Sequence, residues 1–171
     1  SADSPNFDLI QLDVNDLTVF DASTGFLQPN VDVERGDTLE IEVTLKGEGN
    51  ATSGGNVTSD DTVITAKILG YEFGIIADST EIFSVDAGVV YKKNLVLSIP
   101  IDIDASQFYT LRIEASDSVD EEQLDFTLNV DESRHDVNIF DVIVNPSSTV
   151  SAGQPVFVTV RAENLGEKKE E

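Results

Sequence analysis

A chain of 171 residues carries 33 acidic against 10 basic side chains, a net charge of −23, with 40% apolar residues and neither cysteine nor tryptophan. That charge repels phosphate backbones and anionic headgroups, which excludes nucleic acid as a partner. The missing cysteines exclude disulfides, thiolate zinc sites and cysteine nucleophiles. No stretch approaches the roughly 20 apolar residues that span a bilayer as a helix.

From the amino terminus, Ser1-Ala2-Asp3-Ser4-Pro5 has no starting Met and no positive n-region, which fits a mature exported chain. Phe7 to Val14 sets Ile10, Leu12 and Val14 on one face, and Leu17 to Phe20 continues it, so a first strand is expected with a break at Asn15-Asp16. Ala22 to Asn30, with Gly25 and Pro29, reads as loop. A strand follows from Thr38 to Leu45. Lys46 to Asp61 is rich in Gly, Ser, Thr, Asn and acids and reads as a long polar loop.

Thr62 to Phe73 is strand-like, with a bend at Gly70-Tyr71, and Ile75-Ile76 and Ile82-Phe83 are short apolar runs. Val89 to Ile103 carries Leu95, Leu97 and Ile99, and Pro100 near its end points to an edge or a strand end. Phe108 to Ala115 and Gln123 to Val130 alternate cleanly on either side of the acidic turn Asp117 to Glu122, which predicts a hairpin. Beyond the junction 132–136, Val137, Ile139 and Asp141 alternate with Phe140, Val142 and Val144, and a last strand runs from Pro155 to Ala162.

One stretch occurs twice. With Gly36 set on Gly153, Leu39 falls on Val156, Ile41 on Val158, Val43 on Val160 and Leu45 on Ala162. In both copies a Gly turn opens an apolar/polar alternation with one buried and one wet face. About seven strands, turn signals between them and a repeat on this scale predict an all-β immunoglobulin-like β-sandwich, followed by the first strands of a second sandwich domain. The expected boundaries are 1–131 for the first domain, 132–136 for the junction and 137–171 for an incomplete second domain. Two strands alone are marginal in water. They are expected to lean on the first domain, to pair with another chain, or to open a domain that continues.

Several of these segments resemble the surface-layer (S-layer) proteins of small-genome archaea. The resemblance is carried by Val33 to Val43, Ala66-Lys-Ile-Leu-Gly-Tyr-Glu-Phe73 and Tyr109-Thr-Leu-Arg-Ile-Glu-Ala115, and most of all by Arg134-His-Asp-Val-Asn-Ile-Phe-Asp-Val-Ile-Val-Asn-Pro146. Val158 to Lys168 is similar to the opening of the adhesion-related, CARDB-like immunoglobulin repeats of archaeal and bacterial surface proteins. The resemblance implies a secreted, glycosylated structural protein of tandem sandwiches that assembles with copies of itself into an extracellular lattice.

Candidate sites are few. Asn50-Ala51-Thr52 and Asn56-Val57-Thr58 are glycosylation sequons in the polar loop, whereas Asn145-Pro146-Ser147 is disqualified by its central Pro. Calcium needs six to eight converging oxygens, for which the weak candidates are Asp60 with Asp61, Asp102 with Asp104, and Asp131 with Glu132. The run Asp117 to Glu122 offers further carboxylates. Arg35-Gly36-Asp37 matches an adhesion tripeptide, but the repeat at Gly153 lacks both charges, so Gly36 reads as a turn residue. His135, the one histidine, has no triad partner in view, and Tyr109 resembles a tyrosine corner. The expected function is therefore a non-enzymatic surface subunit. An adhesin or pilus-like filament subunit assembling by strand sharing is the alternative, and a sugar-binding module is disfavoured by the absence of Trp.

Overall fold

A computed structural model describes residues 6–48, 59–132, 137–145, 149 and 151–164. The chain divides into two units, Ser1–Asp131 and Glu132–Glu171. Among the described residues there is no helix long and apolar enough to cross a membrane, and every regular element is a strand.

The described residues of the first unit form eleven strands: β1 (Phe7–Val14), β2 (Leu17–Asp21), β3 (Phe26–Leu27), β4 (Asn30–Glu34), β5 (Thr38–Gly47), β6 (Ser59–Leu69), β7 (Ile76–Ser79), β8 (Phe83–Val85), β9 (Val90–Ser98), β10 (Phe108–Ser116) and β11 (Glu121–Asp131). They form two sheets, ordered β3-β2-β1-β5-β9 and β4-β11-β10-β6-β7, with β8 also pairing β6. After β3 the chain leaves the first sheet, and β4 lies parallel to β11, Val31 opposite Leu128 and Val33 opposite Val130. It then returns as β5. This crossing, with β1-β5-β9 facing β11-β10-β6, is the strand order of an immunoglobulin-like sandwich.

Alternation decides which side chains fill the space between the sheets. Leu9, Leu12, Val14, Leu39, Ile41, Val43, Leu45, Leu95 and Leu97 come from one sheet, and Ile64, Ala66, Leu111, Ile113, Phe126 and Leu128 from the other, all buried. Each such aliphatic side chain contributes roughly 1.5–3 kcal/mol on leaving water, so the inward faces stabilise the fold while the outward faces carry the acids.

Several expectations need correction. Phe7 to Phe20 is a hairpin rather than one interrupted strand: Asn15 and Asp16 both have positive φ (49° and 63°), and Val14 pairs with Leu17. Asn and Asp tolerate that left-handed pair, which matches the twist of a two-residue hairpin. The loop assigned to Ala22 to Asn30 includes the short strand β3, which pairs Phe20 with Leu27. Both ends of the expected polar loop are strand, because β5 runs on to Gly47 and β6 begins at Ser59. At its other end β6 stops at Leu69, where Gly70 takes φ +101°. Strands thus outnumber the seven expected. The short ones, β3, β7 and β8, have too few residues to show a period. The β10–β11 hairpin and the edge position of β9, ahead of Pro100, stand as expected.

In the second unit the described residues form β12 (Val137–Asn145) and β13 (Phe157–Asn164), an antiparallel pair.

Candidate functional site

Asp60 and Asp61 are exposed on β6, and Asp131, at the end of β11, and Glu132, just beyond it, are exposed. The Asp102 carboxylate accepts from the Tyr71 hydroxyl at 3.2 Å. Asp104 closes its own turn, accepting from the Ser106 N–H (2.8 Å), the Ser106 hydroxyl (2.7 Å) and the Gln107 amide (2.9 Å). The Ser106 hydroxyl bond, followed by those backbone and amide donors, holds the Asp104 carboxyl below its ordinary range. Asp117 behaves alike. Burial alone would raise it, but the N–H groups of Asp120 and Val119 and the hydroxyl of Ser59 outweigh that and hold it low. Among the described residues no three acidic or histidine side chains converge. Asn50, Asn56 and His135 lie outside the described residues.

Two motifs resolve into structural devices. At Arg35-Gly36-Asp37 the Asp37 N–H donates to the Glu34 carbonyl (3.2 Å), its carboxylate accepts from the Glu34 N–H (3.2 Å), and Gly36 takes φ +79°. Arg35 Nε donates to the Ile103 carbonyl at 2.7 Å, so the tripeptide is a turn built into the sandwich. Tyr109 donates to the Asp104 carbonyl at 3.0 Å, which is a tyrosine corner.

Sequence reasoning missed the polar ties between sheets. Glu122 on β11 accepts from the Leu9 N–H at 2.7 Å, and Asp78 on β7 accepts from the Val96 N–H of edge strand β9 at 2.8 Å. The second bond occupies a donor on an open sheet edge, where unpaired N–H groups invite unwanted pairing. An outer-face groove lined by Asp13, Asp16, Glu40 and Glu42 was also missed, and there Lys92 pairs with Glu42 at 2.5 Å. Nothing in the linear spacing of these residues announces any of them.

The other feature is the ribbon of the second unit. Val137, Ile139, Phe140, Val142, Ile143, Val144, Val156, Phe157, Val158 and Val160 are all 43–67% exposed. Their pairing repeats that of β1 with β5. Leu9, Leu12 and Val14 lie opposite Leu45, Val43 and Ile41, with a register shift between Leu9 and Gln11. Ile139, Val142 and Val144 lie opposite Ala162, Val160 and Val158, with a register shift between Ile139 and Asp141. The shift therefore falls at the same step of both pairs. It also corrects the expected phase of β12, because it puts Ile139 with Val142 and Val144 instead of with Asp141. The preceding turn repeats too: Gln154 N–H donates to the Ser151 carbonyl as Asp37 does to Glu34, and Gly153 takes φ +90°. Asp141 and Arg161 pair across the opposite, more polar face at 3.6 Å.

No protein-family model matches the chain, and no curated protein matches it. Among solved structures, a family 123 glycoside hydrolase from Clostridium perfringens is similar at 8% identity and a TM-score of 0.45, over 63% of this chain. The likeness spans 23% of that enzyme's length, and it is too slight to bear on fold or activity.

Proposed function

We propose that the chain is a non-enzymatic structural subunit of a cell surface, of the S-layer type, exported and assembled with copies of itself into an extracellular lattice through tandem immunoglobulin-like units. The observation that carries this reading is the β12–β13 ribbon, whose aliphatic residues are exposed where those of the matching β1–β5 pair are buried. A contiguous apolar face of this kind marks a contact surface. The charge pattern supports it. Residues 137–164 carry only Asp141, Arg161 and Glu163, while most of the −23 lies elsewhere, so the ribbon is where another acidic copy meets the least repulsion. The sequons at Asn50 and Asn56 agree with an exported glycoprotein.

The test is electron microscopy of natively sourced material, with and without chelator and across a salt series. An ordered two-dimensional lattice is expected. It should strengthen with salt, because the screening length falls from about 10 Å at 0.1 M to about 3 Å at 1 M. A one-dimensional fibre would shift the reading to an adhesin or pilus-like filament subunit, and isolated monomers under every condition would end it. The chelator arm decides whether cations take part at all.

A further inference from the structure

The match between the two strand pairs says more than that the ribbon is sticky. The Gly turn, its carbonyl bond, the facing aliphatic pairs and the register shift all recur in the same relative places. In the first unit that arrangement has a defined neighbour. The edge of β5 away from β1 pairs antiparallel with β9, Leu97 opposite Leu39, Leu95 opposite Ile41, Lys93 opposite Val43 and Tyr91 opposite Leu45. There β9 and the facing sheet together leave Leu39, Ile41, Val43 and Leu45 no more than 1% exposed.

We infer that the edge of β13 away from β12 is a strand-acceptor site for a polypeptide segment outside these 171 residues, one that carries a strand of β9 chemistry and runs antiparallel to β13. Transferring the register gives its composition: aliphatic residues opposite Val156 and Val158, a long-stemmed side chain opposite Val160 and an aromatic opposite Ala162. One face of that strand continues the apolar face of Ile139, Val142, Val144, Val156, Val158 and Val160. This inference rests on the reading of the ribbon as a contact surface, and does not depend on a lattice.

Area argues against a second copy of the ribbon as the occupant. A two-stranded face nine residues long measures about 30 by 10 Å, roughly 300 Å², against the ~800 Å² per partner of a stable interface. Two ribbons face to face would also leave both β13 edges open. A strand on that edge satisfies the backbone and extends the apolar face at once, and strand addition of this kind takes affinity from the main chain and register from alternate side chains.

The probe is a synthetic peptide with the sequence of Val90–Ser98, added to the full isotopically labelled chain while amide shifts and hydrogen exchange are followed. A control peptide has Asp in place of both Leu95 and Leu97. The expected result is saturable shifts and at least tenfold slower exchange along β13 with the first peptide and neither with the control, and the chain variant Val158→Asp abolishes the response. No response up to the solubility limit of the peptide overturns the inference. So does protection of β13 without peptide, which means self-association if it rises with chain concentration and coverage within the chain if it does not. A lattice with no peptide response removes this inference and leaves the proposed function standing. A peptide response without a lattice does the reverse.

Discussion

The Tyr109 hydroxyl and the Asp104 carbonyl lie 3.0 Å apart, a bond that ties the start of β10 to the loop entering it. Tyr109 is 4% exposed, and burial raises its pKa, so the hydroxyl remains a donor across the neutral range. Tyr109→Phe keeps the ring in the core and removes only the bond. The expected loss is about 1 kcal/mol, read as a lower urea midpoint with an unchanged m-value. An unchanged midpoint would mean that the corner contributes nothing.

Glu122 makes the fold sensitive to pH in a direction unusual for a carboxylate. Burial raises its pKa from the ordinary 4.5, the Leu9 N–H opposes the shift, and Asp8 adds to it. The folded chain therefore holds this proton more tightly than the unfolded chain. Its contribution is fully present below pH 4.5 and is lost as pH rises through the higher folded value. Glu122→Gln keeps an oxygen for Leu9 and no longer ionises. Relative to the parent, the variant should gain stability as pH climbs through that window and hold a constant difference above it. Thermal midpoints in half-unit pH steps measure this, and a difference that stays flat throughout would refute it.

Gly47 is held by close approach of two backbones. A Cβ there would stand 2.1 Å from the Asp86 carbonyl oxygen and 2.8 Å from its carbon. Neither atom is the end of a flexible side chain, so Gly47→Ala must separate the end of β5 from the turn after β8. A loss of ~1–3 kcal/mol is expected from this overpacking. Gly153 is the contrasting case, with φ +90° and nothing within 4 Å of a Cβ. There Ala costs only the left-handed backbone strain, ~1–2 kcal/mol, confined to the second unit. Equal effects of the two substitutions on unfolding of the first unit would contradict this account.

Much of the fold was legible because alternation is a local signal. Leu111, Ile113 and Ala115 face inward as their spacing predicts, and the Gly36 turn was found through its echo at Gly153. What the sequence withheld was non-local or depended on a single residue. The Asn15-Asp16 hairpin looked like a break because left-handed φ values leave no trace in an apolar pattern. The phase of β12 was misread because one register shift between Ile139 and Asp141 reverses which residues share a face. The bonds from Glu122 to Leu9 and from Asp78 to Val96 join positions 113 and 18 residues apart. Asp104 and Asp117 stand among acids in the sequence, yet the Asp104 carboxylate closes its own turn and that of Asp117 also reaches Ser59 on β6, a partner that linear spacing does not show.

Ile41 and Val158 occupy the same place in the two strand pairs, each opposite a valine two residues from the next facing pair, Val14 for one and Val144 for the other. Their surroundings differ: Ile41 is 1% exposed and Val158 is 58% exposed. Ile41→Ala should cost ~2–5 kcal/mol, because the opposing sheet relaxes only partly around the space left behind. Val158→Ala removes atoms that water already reaches, and unfolding of the first unit should not change within about 0.5 kcal/mol. The equivalence predicts more than this difference. With a β9-type strand bound to β13, Val158 acquires the cross-strand neighbour that Leu95 is to Ile41, and the alanine substitution should then weaken strand binding severalfold. Denaturant titration of both variants, followed by peptide titration of Val158→Ala, measures each half. If Val158→Ala bound the peptide as the parent does, Val158 would not face the added strand as Ile41 faces Leu95, and the register transferred from β5–β9 would be wrong.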